Sequence, residues 1–121
     1  MKKVLVAEDN ENSRLIIKEL LEIAGYDADT AGNGEQALSM YTESPIGYYS
    51  AVLMDIMMPV MDGYEAVKNI RSLAREDAKT VKIAALTAND SDEDLRRIKE
   101  AGMDMHLIKP VSVGKLQEVI G

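Results

Sequence analysis

Short apolar runs alternate with stretches of helical spacing along the whole chain. The clearest run is Ala51-Val52-Leu53-Met54, which reaches Asp55 unbroken before Pro59 and the Asp62-Gly63 pair. A continuous apolar run bounded by turn signals fits a strand buried on both faces. Pro59 cannot extend that strand, because it has no amide hydrogen for the ladder. Asp55 is therefore predicted at the strand's carboxyl end. Asp62 is predicted to cap a helix that starts near Gly63.

The other segments follow the same rhythm. Val4-Leu5-Val6-Ala7 is a second apolar run, and it ends in Glu8 and Asp9. Leu15, Ile16, Glu19, Leu20 and Ile23 have helical spacing over 12–24, with Gly25 as the stop. Residues 26–30 alternate weakly as a strand. Asn33-Gly34 opens a helix over 35–42 with Ala37, Leu38 and Tyr41 inward, and a loop with Pro45 and Gly47 follows. After the central strand, Val67, Ile70 and Leu73 share one face of a helix over 64–74. Residues 75–80 read as a charged loop. Val81 to Leu86 forms a strand ending in Thr87, and Ser91 or Asp92 caps a polar helix ended by Gly102. Met105-His106-Leu107-Ile108 is a short strand ending at Lys109-Pro110, and Ser112 caps a last helix over 113–120. Five βα units in one domain, 1–121, predict an α/β fold: a five-stranded parallel sheet, doubly wound with helices on both faces. The fourth helix is the most polar, so it is expected to be the most weakly packed.

Composition narrows the chemistry. The 121 residues suit a single domain. With 46% hydrophobic and 29% charged residues the chain is globular rather than disordered. It has no cysteine and one histidine, which removes disulfides and thiolate metal sites and disfavours a histidine-based zinc site. A net charge of −7 argues against nonspecific binding to nucleic acid or to acidic membranes. There is no signal peptide pattern and no stretch long enough to span a bilayer, so the expected compartment is the cytoplasm.

In a parallel sheet all the carboxyl ends of the strands form one rim, where ligands bind in open α/β folds. That rim would carry Glu8, Asp9, Asp55, Thr87 and Lys109. Each has a plain reading as a turn or solvated residue. Together, three carboxylates, a hydroxyl and an ammonium at four strand ends point to a site, because clustered carboxylates repel one another. A hard dication bound through oxygens would neutralise the excess negative charge, and few protein ligands plus retained water suit magnesium. A cation, a lysine and a threonine hydroxyl can hold phosphoryl oxygens. A central carboxylate can then accept a phosphoryl group as the nucleophile.

These motifs resemble the receiver domain of two-component response regulators, with its CheY-like, flavodoxin-like fold. The resemblance covers essentially the whole chain. It rests on Glu8-Asp9, the run from Met54 through Asp55 to Pro59 with Asp62-Gly63, Thr87-Ala88 and Lys109-Pro110. It implies that Asp55 is the phosphoacceptor, served by a phosphohistidine on a histidine kinase or a histidine phosphotransfer domain. It implies a magnesium ion (or manganese) on Asp9 and Asp55, with Glu8 acting through water and the Met57 backbone carbonyl as a further ligand. Thr87 and Lys109 would contact the phosphoryl group, and the Lys109-Pro110 bond would be cis. The family's switch position, often Tyr or Phe, is His106 here. The positions that flank the path of hydrolytic water are Met57 and Asn89, which implies slow loss of phosphate. The surface expected to switch is the fourth helix, the fifth strand and the fifth helix.

The stretches 8–12 and 101–106 resemble receivers attached to hybrid histidine kinases, and the short last helix fits a domain cut from a longer protein. The domain itself is then a phosphorylation-switched signalling module rather than an enzyme, although a parent kinase would be one. A monomer with no nucleic-acid partner of its own is expected. A haloacid-dehalogenase-type phosphohydrolase would need an acid two residues after its Asp nucleophile, where this chain has Met57. A flavodoxin-like cofactor binder would need a phosphate-cradling loop where Glu8-Asp9-Asn10-Glu11 stands, and no Walker motif is present. The complete set of acids, threonine and lysine argues against a degenerate receiver that serves only as an interaction module.

Overall fold

The computed structural model describes residues 2–88 and 91–121. Five strands, β1 (Lys3–Ala7), β2 (Asp27–Ala31), β3 (Ala51–Asp55), β4 (Lys82–Thr87) and β5 (Met105–Ile108), form one sheet in the order β2-β1-β3-β4-β5. Every pairing is parallel. Between and after them run α1 (Glu11–Ile23), α2 (Gly34–Glu43), α3 (Gly63–Arg71), α4 (Asp92–Ala101) and α5 (Val113–Ile120). The fold is the doubly wound α/β sheet that the alternation of runs predicts.

Strand alternation divides the core in two. Leu5, Val52, Met54, Ile83 and Ala85 face the layer of α2, α3 and α4, where Tyr41, Val67, Ile70 and Ile98 are buried. Val4, Val6, Leu53, Ala84 and Leu86 face α1 and α5, where Ile17, Leu21, Leu116 and Ile120 are buried. Successive strand residues point to opposite faces, so a run apolar at every position is required when both faces are covered.

All five helices begin with a side-chain cap. Asn10, Asn33, Asp62, Ser91 and Ser112 accept hydrogen bonds from the amides of Ser13, Gln36, Glu65, Asp94 and Lys115. Each cap satisfies an amide with no partner inside its helix and fixes where the helix leaves the rim. No helix among the described residues is long and apolar enough to cross a membrane.

Several local readings change. In α1 the buried stripe is Ile17 and Leu21, while Leu15 and Ile16 are more than half exposed and Ile23 is 71% exposed. Helix α3 ends at Arg71, short of the expected 74. The segment predicted as a charged loop contains a 3-10 turn, Glu76–Lys79. There Arg75 donates to the carbonyls of Tyr41 (2.8 Å), Ser44 (2.9 Å) and Pro45 (3.1 Å), and its guanidinium lies 4.7 Å over the Tyr41 ring. Asp77 completes the clamp. It pairs with Arg75 Nε at 2.6 Å and accepts from the Gly47 amide at 2.9 Å. The polar α4 buries Ile98 and Ala101, as many residues as α1 or α5 buries, so its composition alone does not set it apart.

The Arg75 hydrogen bond holds the Asp77 carboxyl at about 2, below its ordinary 3.8, against the opposing effect of burial. A depressed carboxylate pKa contributes stability that is complete above the unfolded value and is lost as pH falls through the folded one. Asp77→Asn is therefore expected to cost about 1–2 kcal/mol at neutral pH, discounted for partial solvent screening. The gap should close as the pH falls from about 4 toward 2. Urea unfolding of both proteins at neutral and acid pH checks this, and a gap independent of pH would contradict it.

Candidate functional site

The carboxyl ends of β1, β3, β4 and β5 meet at one point of the rim. Glu8 follows β1, Asp55 closes β3, Thr87 closes β4 and Lys109 follows β5. Glu8, Asp55 and Thr87 are buried, while Asp9 is exposed at the mouth. One oxygen from each of Glu8, Asp9 and Asp55 lies within 4.8 Å of the others. The Lys109 ammonium bridges the two buried acids, 2.8 Å from Glu8 Oε1 and 3.0 Å from Asp55 Oδ2. The Met57 amide donates to Asp55 Oδ1 at 3.0 Å. The open cleft over these groups has a volume of about 390 Å³, and Asn10, Met57 and Ala88 also line it.

The electrostatics follow from this arrangement. Burial pulls the Lys109 pKa down, but its hydrogen bonds and charge interactions with Glu8 and Asp55 outweigh that. The net shift is upward, so the ammonium stays charged. One ammonium against three carboxylates still leaves an excess of negative charge. The acidic donors are all hard oxygens, with no nitrogen or sulfur among them. This set fits a magnesium ion, which prefers oxygen ligands and keeps part of its water.

The loop after Asp55 is held tightly. The Met61 amide donates to the Pro59 carbonyl at 2.7 Å across Val60, whose φ is +69°. A β-branched residue there is strained, by about 1–2 kcal/mol. Two glycines let this loop approach other backbone. A Cβ on Gly63 would lie 2.3 Å from the Asp55 carbonyl oxygen, and one on Gly34 would lie 2.3 Å from that of Met61. The Gly34 amide also donates to the Met61 carbonyl at 3.1 Å, which ties the start of α2 to the loop.

The remaining candidates are placed as follows. The Lys109-Pro110 peptide is cis. Met57 is 76% exposed at the mouth of the cleft. His106 lies on β5 opposite Ala85, half-buried, and lines one surface hollow with Leu95 and Lys99 of α4 and another with Lys115 and Val119 of α5. It is not among the residues lining the cleft. Asn89 lies outside the described residues. Sequence reasoning missed Gly34 and Arg14 as parts that hold the site, and took Gly63 only as a motif residue at the start of a helix. Arg14 Nη1 donates to the Glu8 carbonyl at 3.0 Å. Its signal was a cation in the opening turns of a helix, where the helix dipole disfavours one.

Comparison with known proteins gives the same reading. The family described as response regulator receiver domain matches residues 4–121. The chain is similar to hybrid signal transduction histidine kinase I of Dictyostelium discoideum, 40% identical over 120 residues. That match covers 98% of this chain and 7% of the relative. It is 33% identical over 121 residues to the peroxide stress-activated histidine kinase mak2 of Schizosaccharomyces pombe, covering 98% of this chain and 5% of the relative. The chain thus spans a small part of these curated relatives. Among solved structures, chemotaxis protein CheY4 of Vibrio cholerae superposes with a TM-score of 0.87 at 32% identity, covering 98% of both chains. The receiver domain of sensor histidine kinase PA1611 from Pseudomonas aeruginosa, described with a magnesium ion coordinated in the active site cleft, gives 0.86 at 35% identity, covering 98% of this chain and 93% of that one. Both the rim chemistry and these likenesses lead to one assignment: the chain belongs to the response regulator receiver domain family and is homologous to the receiver domains of hybrid histidine kinases in phosphorelay signalling.

Proposed function

We propose that Asp55 accepts a phosphoryl group from a phosphohistidine on a histidine kinase or a histidine phosphotransfer domain. The observation that carries this reading is the setting of the Asp55 carboxylate. It is buried, it is held by the Met57 amide on one oxygen and by Lys109 on the other, and it opens into the cleft it shares with Glu8 and Asp9. An Asp55 oxygen forms the new bond to phosphorus as the phosphorus–nitrogen bond of the donor breaks, and the imidazole leaves with the bonding pair. Asp9, Asp55 and the Met57 carbonyl would hold the magnesium or manganese ion, and Glu8 would act on it through water. That ion, when bound, supplies positive charge to the phosphoryl oxygens. Lys109 moves from carboxylate to phosphoryl oxygens, and Thr87 donates its hydroxyl to one of them.

The partner reading is supported by an apolar groove of about 290 Å³ beside the cleft. Ile16, Ile17, Pro110 and Val111 line it, and it shares Glu8 and Lys109 with the site. A helix presenting a histidine could seat there and place its imidazole over Asp55. On phosphorylation, His106 and the α4-β5-α5 surface shift population between two arrangements. The domain catalyses its own phosphoryl transfer and loses the group slowly. It works as a monomer in the cytoplasm without nucleic acid, and its net charge of −7 supports the last point.

Incubation with acetyl phosphate, with magnesium or with a chelator, tests the reading by intact mass. The expected result is a gain of one phosphoryl group with magnesium and none with chelator. Equal gain in both would contradict it. The same time course tests the role of Met57 at the mouth, where a thioether shields the phosphorus but orients water poorly. Met57→Asn is expected to lose phosphate faster than the wild type, and equal half-lives would remove Met57 from that role. Amide shifts confined to the Asp55 loop, with none in β5 or α4, would contradict the switch.

A further inference from the structure

Arg14 takes no part in the phosphoryl chemistry, yet it sits where a cation is otherwise disfavoured. It is the fourth residue of α1, close to the positive end of the helix dipole. It is half-buried, and its Nη1 donates to the carbonyl oxygen of Glu8 at 3.0 Å. That carbonyl lies just beyond the sheet, because β1 pairs with β2 and β3 only as far as Ala7. On its other side, the Glu8 amide donates to the Ala31 carbonyl at 3.0 Å. The Glu8 backbone is therefore pinned on both sides, by the end of β2 and by Arg14. An added Cβ at Gly32 would lie 3.4 Å from Arg14 Nη1, in ordinary contact, so only a side chain that branches beyond Cβ would reach into the space of the guanidinium.

This backbone has a task. Glu8 turns inward to Lys109, while Asp9, the next residue, is exposed at the mouth of the cleft. The direction in which each carboxylate leaves the chain is set by the backbone between them. We propose that Arg14 is a positioning residue for the divalent cation, acting through the Glu8 carbonyl to hold the Glu8-Asp9 pair in register with Asp55. The inference rests on the reading that Glu8, Asp9 and Asp55 hold that cation.

Charge and position predict opposite signs. The guanidinium is a positive charge near a cation site, so if charge were its only effect, removing it would strengthen cation binding. If it positions the acids, removing it weakens binding, as loss of groups that orient metal ligands does. The experiment is a calorimetric titration of the chain with magnesium at fixed ionic strength, for wild type, Arg14→Gln, Arg14→Lys and Gly32→Val. A thermal melt in chelator establishes that each variant is folded. Arg14→Gln is expected to weaken magnesium binding about 10-fold. Arg14→Lys, which keeps a donor and the charge, is expected to recover most of that loss. Gly32→Val keeps the Arg14 charge but sets its two methyl groups, beyond a Cβ already in contact, against the guanidinium, so it is expected to weaken binding too. If Arg14→Gln does not fold, Gly32→Val decides alone. Wild-type or tighter affinity in Arg14→Gln, or wild-type affinity in Gly32→Val, overturns the positioning role. A wild-type chain that binds no magnesium overturns the cation site itself, and this inference with it.

Discussion

Asp55→Asn is expected to abolish phosphoryl uptake while leaving the fold intact. The amide keeps the shape of the carboxylate, and one of its two polar ends can still accept the Met57 amide hydrogen that now reaches Oδ1 at 3.0 Å. Lys109 keeps Glu8 as a partner at 2.8 Å. What disappears is the proposed nucleophile, because a neutral amide has no anionic oxygen to offer phosphorus. The rate of uptake should fall by about 10³-fold or more, the scale seen when a nucleophile is removed. Stability should move the other way. Two buried carboxylates now share one ammonium, and neutralising one relieves their repulsion, so the variant should melt at the same temperature or slightly higher. Uptake at the wild-type rate would show that another group is the acceptor.

Gly63→Ala is expected to be strongly destabilising. Its Cβ would lie 2.3 Å from the Asp55 carbonyl oxygen and 2.8 Å from the Ile56 Cα. Both obstacles are backbone, so no side chain can swing aside. The segment cannot slide either. The Gly63 amide donates to the Ile56 carbonyl at 3.3 Å, and the Asp62 cap fixes the start of α3. Overpacking of this kind costs about 3 kcal/mol, and it would push Asp55 itself out of place. Gly114→Ala is the control. Gly114 lies inside α5 with open space around it, so alanine there should stabilise by about 0.5–1 kcal/mol. Urea unfolding of the three proteins tests the pair. Equal midpoints for wild type and Gly63→Ala would mean that the Asp55 loop relaxes far more easily than its packing implies.

The site was more legible in the sequence than its supports. Strands buried on both faces read as unbroken apolar runs, and the first polar residue after each run marks the rim. That logic places Glu8, Asp55, Thr87 and Lys109 without any knowledge of their contacts. Edge strand β2 is different. It carries Asp27, Asp29 and Thr30, so its pattern is weak, and the structure starts it one residue later than the sequence suggests. Helix α1 is recognisable as a helix, but its aliphatic residues surround more than one face. Only packing against the sheet and α5 decides that Ile17 and Leu21 go inward while Leu15, Ile16 and Ile23 stay out. The clamp of Arg75 on the end of α2 joins residues some thirty positions apart, and no local pattern encodes it. The same holds for Arg14 and Gly63, whose roles lie in backbone atoms they approach rather than in side-chain chemistry.

The central claim is that one particular carboxylate carries the phosphoryl group, and locating that group tests it most directly. The phosphorylated chain can be treated with borohydride, which reduces an aspartyl phosphate to the alcohol and so converts that residue to homoserine. Peptide mass spectrometry then reads the position. The account predicts homoserine at position 55 alone, formed only after incubation with phosphodonor and magnesium. Homoserine at Asp9 or Asp62 instead, with Asp55 unchanged, would contradict it.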